Sequence, residues 1–229
     1  MNIHGLQKLT LLDYPGKVAC TVFLGGCNFR CPYCHNAELL DGTAPVEMDD
    51  SELLAFLKKR QGLLDGVCIT GGEPILRPEL PELLCRIRAL GFQVKLDTNG
   101  SDPERLSDIL SRGLVDYVAM DIKNSPERYG LTIGIPDFDV RPIQESVRLL
   151  MEGKTEFEFR TTVLHFFHDD EAIRTIGQWI AGAPRYFLQS FVDRETVPTA
   201  GLCPPAPQVI EHWLEIVRSF VPNAQIRGQ

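Results

Sequence analysis

The sequence predicts an α/β fold, an open partial (β/α)6 barrel, and three observations predict it. Short β-branched or aromatic runs alternate with longer segments of helical period through to the end of the chain. Start and stop signals bracket the helical segments, with Asp102 before Pro103 and the Asp169–Asp170 pair at two openings. Polar or unusual residues recur just after the apolar runs, where parallel α/β folds gather their binding groups. A closed eight-unit barrel takes about 250 residues. Six units in a chain of 229 fit the open form better, although a flat doubly wound sheet satisfies the same alternation.

In chain order, the predicted strands are Val18–Leu24, Val67–Thr70, Gln93–Thr98, Tyr117–Ile122, Glu156–Leu164 and Tyr186–Val192. The predicted helices are Asp50–Gln61, Pro78–Leu90, Pro103–Arg112, Ile143–Glu152, Asp170–Ala181 and Pro207–Phe220. Gly91, Gly113, Gly153 and Gly182 follow four of them, where a left-handed terminating residue is expected. Strict alternation implies a parallel sheet with right-handed crossovers. No repeat, low-complexity tract or linker interrupts it, so a single domain over 1–229 is expected. It has an extension over 1–16, a core over about 17–192, and a stiff Pro-rich loop and helix over 193–229.

Composition narrows the function classes. Hydrophobic residues make up 44% and charged residues 24%, enough apolar material for a core. The net charge of 23 − 31 = −8 gives no reason to expect nucleic acid or an anionic membrane as a partner. No apolar run approaches the roughly 18 residues needed to span a bilayer. Met1 to Leu12 lack the basic start and apolar stretch of a secretory signal. A cytoplasmic protein is expected, and in a reducing compartment clustered cysteines point to metal or redox chemistry rather than disulfides.

Three of the seven cysteines fall within Cys27-Asn28-Phe29-Arg30-Cys31-Pro32-Tyr33-Cys34, a C-x-x-x-C-x-x-C spacing after the first strand. Three thiolates on one short loop can hold three irons of a cuboidal cluster and leave the fourth open to an outside ligand. Gly25, Gly26 and Pro32 suit the tight bend. The competing reading is structural zinc, which wants four ligands, usually in two separated pairs. No second pair exists: Cys68, Cys85 and Cys203 are scattered, and Cys20 sits inside a strand. His35 would have to turn inward to complete a zinc site.

With these residues in view, the loop resembles that of the radical S-adenosylmethionine (SAM) superfamily. Cys34-His35-Asn36, together with Leu12-Asp13-Tyr14-Pro15-Gly16-Lys17, makes the chain similar to glycyl-radical-enzyme activases. Within these it resembles the anaerobic ribonucleoside-triphosphate reductase activating proteins and their pyruvate formate-lyase activating relatives. The resemblance implies a TIM-like partial barrel of radical SAM type, one [4Fe–4S] cluster on Cys27, Cys31 and Cys34, and SAM on the open iron. It implies an oxidoreductase that takes one electron from flavodoxin or ferredoxin and cleaves SAM to methionine and a 5′-deoxyadenosyl radical. That radical would then remove a glycine Cα hydrogen from a partner enzyme.

The same resemblance assigns the other strand ends. Gly71-Gly72-Glu73-Pro74 matches the element that receives the methionine ammonium, and a carboxylate pairs naturally with a cation. Asp97, Thr98 and Asp121 match residues that surround a monovalent cation beside the SAM carboxylate, with Lys123 also facing SAM. Two neighbouring carboxylates repel unless a cation or Lys123 lies between them. Tyr33 and His35 complete the implied cofactor-binding set, Tyr33 beside the adenine. Gln189-Ser190-Phe191-Val192 lacks the histidine some relatives carry near the sixth strand, so nothing is assigned there.

Arg160 stands on an otherwise apolar strand and needs a partner, either in the active site or in an ordinary ion pair. His165, His168 and His212 are expected to be structural. Two other function classes stay open: a small-molecule radical SAM enzyme resembling the 7-carboxy-7-deazaguanine synthases, and a non-enzymatic metal-binding module.

Overall fold

A computed structural model describes residues 1–41 and 43–228. In chain order it contains β1 (Asn2–Ile3), β2 (Gly5–Thr10), β3 (Ala19–Leu24), β4 (Met48–Asp49), α1 (Asp50–Lys58), β5 (Gly66–Gly71), α2 (Leu80–Ala89) and β6 (Gln93–Thr98). There follow α3 (Pro103–Ser111), β7 (Tyr117–Asp121), α4 (Tyr129–Thr132), α5 (Arg141–Glu152), β8 (Glu156–Val163), α6 (Asp170–Trp179), β9 (Tyr186–Ser190), α7 (Pro207–Arg218) and β10 (Gln225–Arg227).

The main sheet runs β10-β9-β8-β7-β6-β5-β3-β2. The six strands from β3 to β9 lie side by side in chain order, each parallel to the next. A doubly wound sheet reverses its order at a switch point; this one never does. With right-handed crossovers throughout, the helices must cover one face, as in an open barrel. Antiparallel β2 and the short parallel β10 extend the two edges, and β1 pairs with β4 in a separate two-stranded piece.

Helices α1, α3, α6 and α7 begin at the expected residues, whereas α2 begins at Leu80 rather than Pro78 and α5 at Arg141 rather than Ile143. Asp49 and Glu52 form a reciprocal capping box on α1. Asp102 and Asp169 accept the amides of Arg105 and Ala172 at the starts of α3 and α6. Gly91, Gly113 and Gly182 have the positive φ expected of helix-ending glycines. Gly153 does not: its φ of −76° and ψ of 179° make it extended, so that expectation is corrected. The chain leaves α5 directly into β8 after three residues and needs no left-handed turn.

Alternation along each strand separates two faces. Val22, Leu24, Val67, Ile69, Val94, Leu96, Val118 and Met120 join the main apolar core. The opposite face carries a small buried apolar group of Tyr14, Ala19 and Tyr117, together with many of the polar side chains of the sheet. Glu158, on this inner face of β8, has a fully buried side chain bound by Arg227 of β10 at 2.7 and 3.0 Å. Arg227 also stacks over Phe187 of β9, 3.6 Å from the ring centre, which fastens the three-residue strand to the sheet.

Candidate active site

The loop after β3 is anchored before it presents its thiols. Gly26 and Cys27 donate their amides to Leu39 and Leu40. Arg30 folds back onto the Cys27 and Phe29 carbonyls at 2.7 and 2.8 Å, and the Phe29 ring packs edge-on against Tyr129 and Phe138. The loop after β5 lies against it: Glu73 donates its amide to Gly26 at 2.8 Å. A Cβ on Gly72 would stand 2.2 Å from the Gly26 carbonyl oxygen, so only glycine permits this approach.

Between these loops and the ends of β6 to β9 lies a cavity of about 450 Å³. Every site residue read from the sequence lines it: Cys27, Cys31, Tyr33, Cys34, His35, Gly71, Gly72, Glu73, Asp97, Thr98, Asp121 and Lys123. The three thiols are free. Burial pushes Cys27 up to about 11 and Cys31 up to about 12, and raises Cys34 as well. A metal centre bound there would have to displace their protons.

Among the described residues no three His, Cys, Asp or Glu side chains converge as a single ion requires. His35 does not turn inward to the thiols; its Nε2 lies 2.7 Å from the Val192 carbonyl oxygen and its ring stacks on Phe191.

The floor is ionic. Arg160 is the register partner of Asp121. It binds Asp121 Oδ1 through Nε at 2.5 Å and Asp97 Oδ2 through Nη2 at 3.1 Å. Lys123 holds Asp121 Oδ2 at 2.8 Å, and the buried Lys95 holds Asp97 Oδ1. Burial pushes both carboxyls up, but Arg160 with Lys95 holds Asp97 below the usual range, and Arg160 with Lys123 does the same for Asp121. Lys123 pairs with Asp121 as expected, and the Arg160 guanidinium, which sequence reading did not place there, stands between the two acids. Both readings of Arg160 hold at once, because its ion pairs lie in the site.

Glu73 is 1% exposed, and burial raises its pKa to about 7 against three opposing hydrogen bonds. It accepts from Thr98 Oγ1 at 2.8 Å, the Asn99 amide at 2.5 Å and the Ile75 amide at 3.2 Å. The carboxylate thus ties the ends of β5 and β6 together.

Sequence reading missed several lining residues: Asp13, Asn36, Asn99, Thr162, Gln189 and Arg194. Asn99 had a signal, since it sits within the Asp-Thr-Asn-Gly strand end; its Nδ2 lies 3.9 Å from Cys27 Sγ. Arg194 had none, because its position depends on the path of the loop after β9. His168 is buried and bonded to the Lys123 and Leu164 backbone, and His212 pairs with Asp170, both structural as expected. Among the described residues, Tyr33 has a buried hydroxyl without a partner, and burial holds its pKa well above the usual range.

The radical SAM superfamily model matches residues 21–178, more than half of the sequence. The chain belongs to the radical SAM superfamily. Radical SAM proteins work with a [4Fe–4S] cluster and SAM, and this radical SAM enzyme shares those cofactors. Three free thiols on one loop, a cation-rich floor and an unpartnered buried hydroxyl fit a thiolate-held cluster and a ligand bearing a carboxylate.

The chain is 28% identical to a candidate glycyl-radical enzyme activating enzyme of Methanocaldococcus jannaschii, over 98% of this chain and 95% of that one. It is 34% identical to the pyruvate formate-lyase-activating enzyme of Clostridium pasteurianum, over 54% of this chain and 52% of that one. Streptococcus suis SuiB bound to S-adenosylmethionine shares the fold with a TM-score of 0.67 at 13% identity, over 91% of this radical SAM chain and 52% of SuiB. No helix among the described residues is long and apolar enough to cross a membrane.

Proposed function

We propose that this radical SAM enzyme is a glycyl-radical-enzyme activase that removes a glycine Cα hydrogen from a partner protein. One observation carries the reading: the match to the Methanocaldococcus activating enzyme runs nearly end to end on both chains. The partner we assign is an anaerobic ribonucleoside-triphosphate reductase, on the Cys34-His35-Asn36 and Leu12–Lys17 motifs, with flavodoxin or ferredoxin as electron donor.

Cys27, Cys31 and Cys34 would hold the cluster, leaving one iron for SAM. Bound there, the reduced cluster and SAM supply a 5′-deoxyadenosyl radical by reductive cleavage of the sulfonium. The chain's own residues bind and orient. Gly71 and Gly72 let a ligand reach backbone carbonyls, and Glu73 adds negative charge for an ammonium. Lys123 and Arg160 face the carboxylate, while Tyr33, His35 and Gln189 wall the cavity for the adenosyl group. Glycine suits the partner's role because no side chain shields its Cα.

The test is anaerobic. The protein is reconstituted with iron and sulfide, reduced and given SAM, and 5′-deoxyadenosine is followed with the low-temperature spin signal. A glycyl radical signal should appear only when the reductase is added. A second reading is supported by 32% identity to the 7-carboxy-7-deazaguanine synthase of Methanopyrus kandleri, over 48% of this chain and 51% of that one. Deoxyadenosine formation stimulated by a small-molecule substrate, with no glycyl signal on any reductase, would replace the activase reading.

A further inference from the structure

The family resemblance implies a monovalent cation beside Asp97, Thr98 and Asp121, and the residues present do not fit one. A cation site needs carboxylate oxygens with free lone pairs facing a common point and a local deficit of positive charge. Here each of the four oxygens already receives a fixed cationic donor, which leaves a lone pair on each but removes the local deficit of positive charge. Asp97 Oδ1 takes Lys95, Asp97 Oδ2 and Asp121 Oδ1 take Arg160, and Asp121 Oδ2 takes Lys123. Two carboxylates thus meet three cations. Of the other acids around the cavity, Glu158 is held by Arg227 and Tyr117 and Glu73 by Thr98 and two backbone amides, while Asp13 on the cavity wall takes the Thr21 hydroxyl.

Lys95 is the residue that closes the set. It is 2% exposed, lies beneath the cavity rather than on its wall, and touches only Asp97 and Cys68 with its ammonium. A buried lysine with no partner but its acid is expensive to keep, unless its positive charge is what the position requires. An ammonium on a tether supplies the same single charge as a sodium or potassium ion, with no dissociation.

We propose that Lys95, with Arg160 and Lys123, replaces the free monovalent cation in this chain, so that its SAM site works without sodium or potassium. Lys123 and Arg160, both on the cavity wall, then stand ready for the SAM carboxylate. The inference rests on the SAM reading of the cavity.

The experiment measures SAM affinity of the reconstituted protein in sodium, potassium and choline chloride at one ionic strength, with melting temperature read alongside. The wild type should bind SAM within about twofold in all three salts and show no alkali-specific shift above about 2 °C. Lys95→Met keeps the aliphatic bulk without the charge, and should bind SAM more tightly in sodium or potassium than in choline. A wild-type affinity that drops in choline overturns the inference, and needs no variant to fold. Failure to bind SAM in any salt would instead sink the SAM reading itself.

Discussion

Arg160 reaches Asp97 across an intervening strand: they stand on β8 and β6, yet their side chains meet at 3.1 Å. The register partner of Asp97 on β7 is Ala119, too small to obstruct the guanidinium. Replacing Arg160 with Met leaves two buried carboxylates facing each other with one fewer cation. Breaking such a buried network costs about 3–5 kcal/mol. Chemical denaturation should show a loss of that order, and Arg160→Lys, which cannot span both acids, should recover only part of it. Full stability in Arg160→Met would mean the bridge contributes nothing.

The thiol assignment separates the cysteines cleanly. Cys27→Ala, Cys31→Ala and Cys34→Ala should each lose the reconstituted cluster, whereas Cys85→Ala should keep it, since Cys85 is exposed on α2. Iron and sulfide content per chain decides the matter, and equal loss in all four variants would refute the ligand set.

Glu73 makes the ligand-free protein sensitive to pH near neutrality. Burial raises its folded pKa from 4.5 to about 7. The folded state therefore holds a proton that the unfolded chain has released, and this contribution to stability is present below 4.5 and lost as pH rises through about 7. A ligand ammonium favours the carboxylate, so SAM affinity should increase as pH is raised toward 7. Glu73→Gln should flatten both profiles, measured by melting and by SAM titration. An unchanged profile in the variant would assign the titration to another group.

Gly72→Ala should fail where Gly113→Ala does not. The added methyl at 72 meets the Gly26 oxygen at 2.2 Å, whereas at 113, with φ of 61°, nothing lies within 4 Å. The second change costs about 1 kcal/mol of left-handed backbone strain and should leave iron uptake intact. The first forces the cysteine loop off its path and should reduce iron uptake along with stability. Normal iron content in Gly72→Ala would show that the two loops tolerate separation.

The six central strands and their helices were legible because each has either an apolar run or a capped helical period. The edge strands β2 and β10 were not: Gly5–Thr10 mixes polar and apolar residues, and Gln225–Arg227 is held by Arg227 rather than by any β-forming run. At the site, residues at strand ends could be placed because the parallel fold collects strand ends on one rim. Asp13 and Arg194 join them through the tertiary path of the chain, which no local pattern encodes, whereas Gln189 sits at the end of β9 and was passed over only for want of a histidine. Arg160 offered half a signal, a lone cation in an apolar strand; its two partners became visible only with the strand register.

The ion pair between Glu158 and Arg227 also bears on the order in which the chain assembles. Glu158 belongs to β8, and its neutralising arginine follows about seventy residues later in synthesis, on β10. While a ribosome is still extending the chain, Glu158 has the Tyr117 hydroxyl and the nearby charges of Lys95 and Arg160 but not its direct ion-pair partner. The far side of the half-barrel therefore gains its last buried ion pair only when β10 arrives.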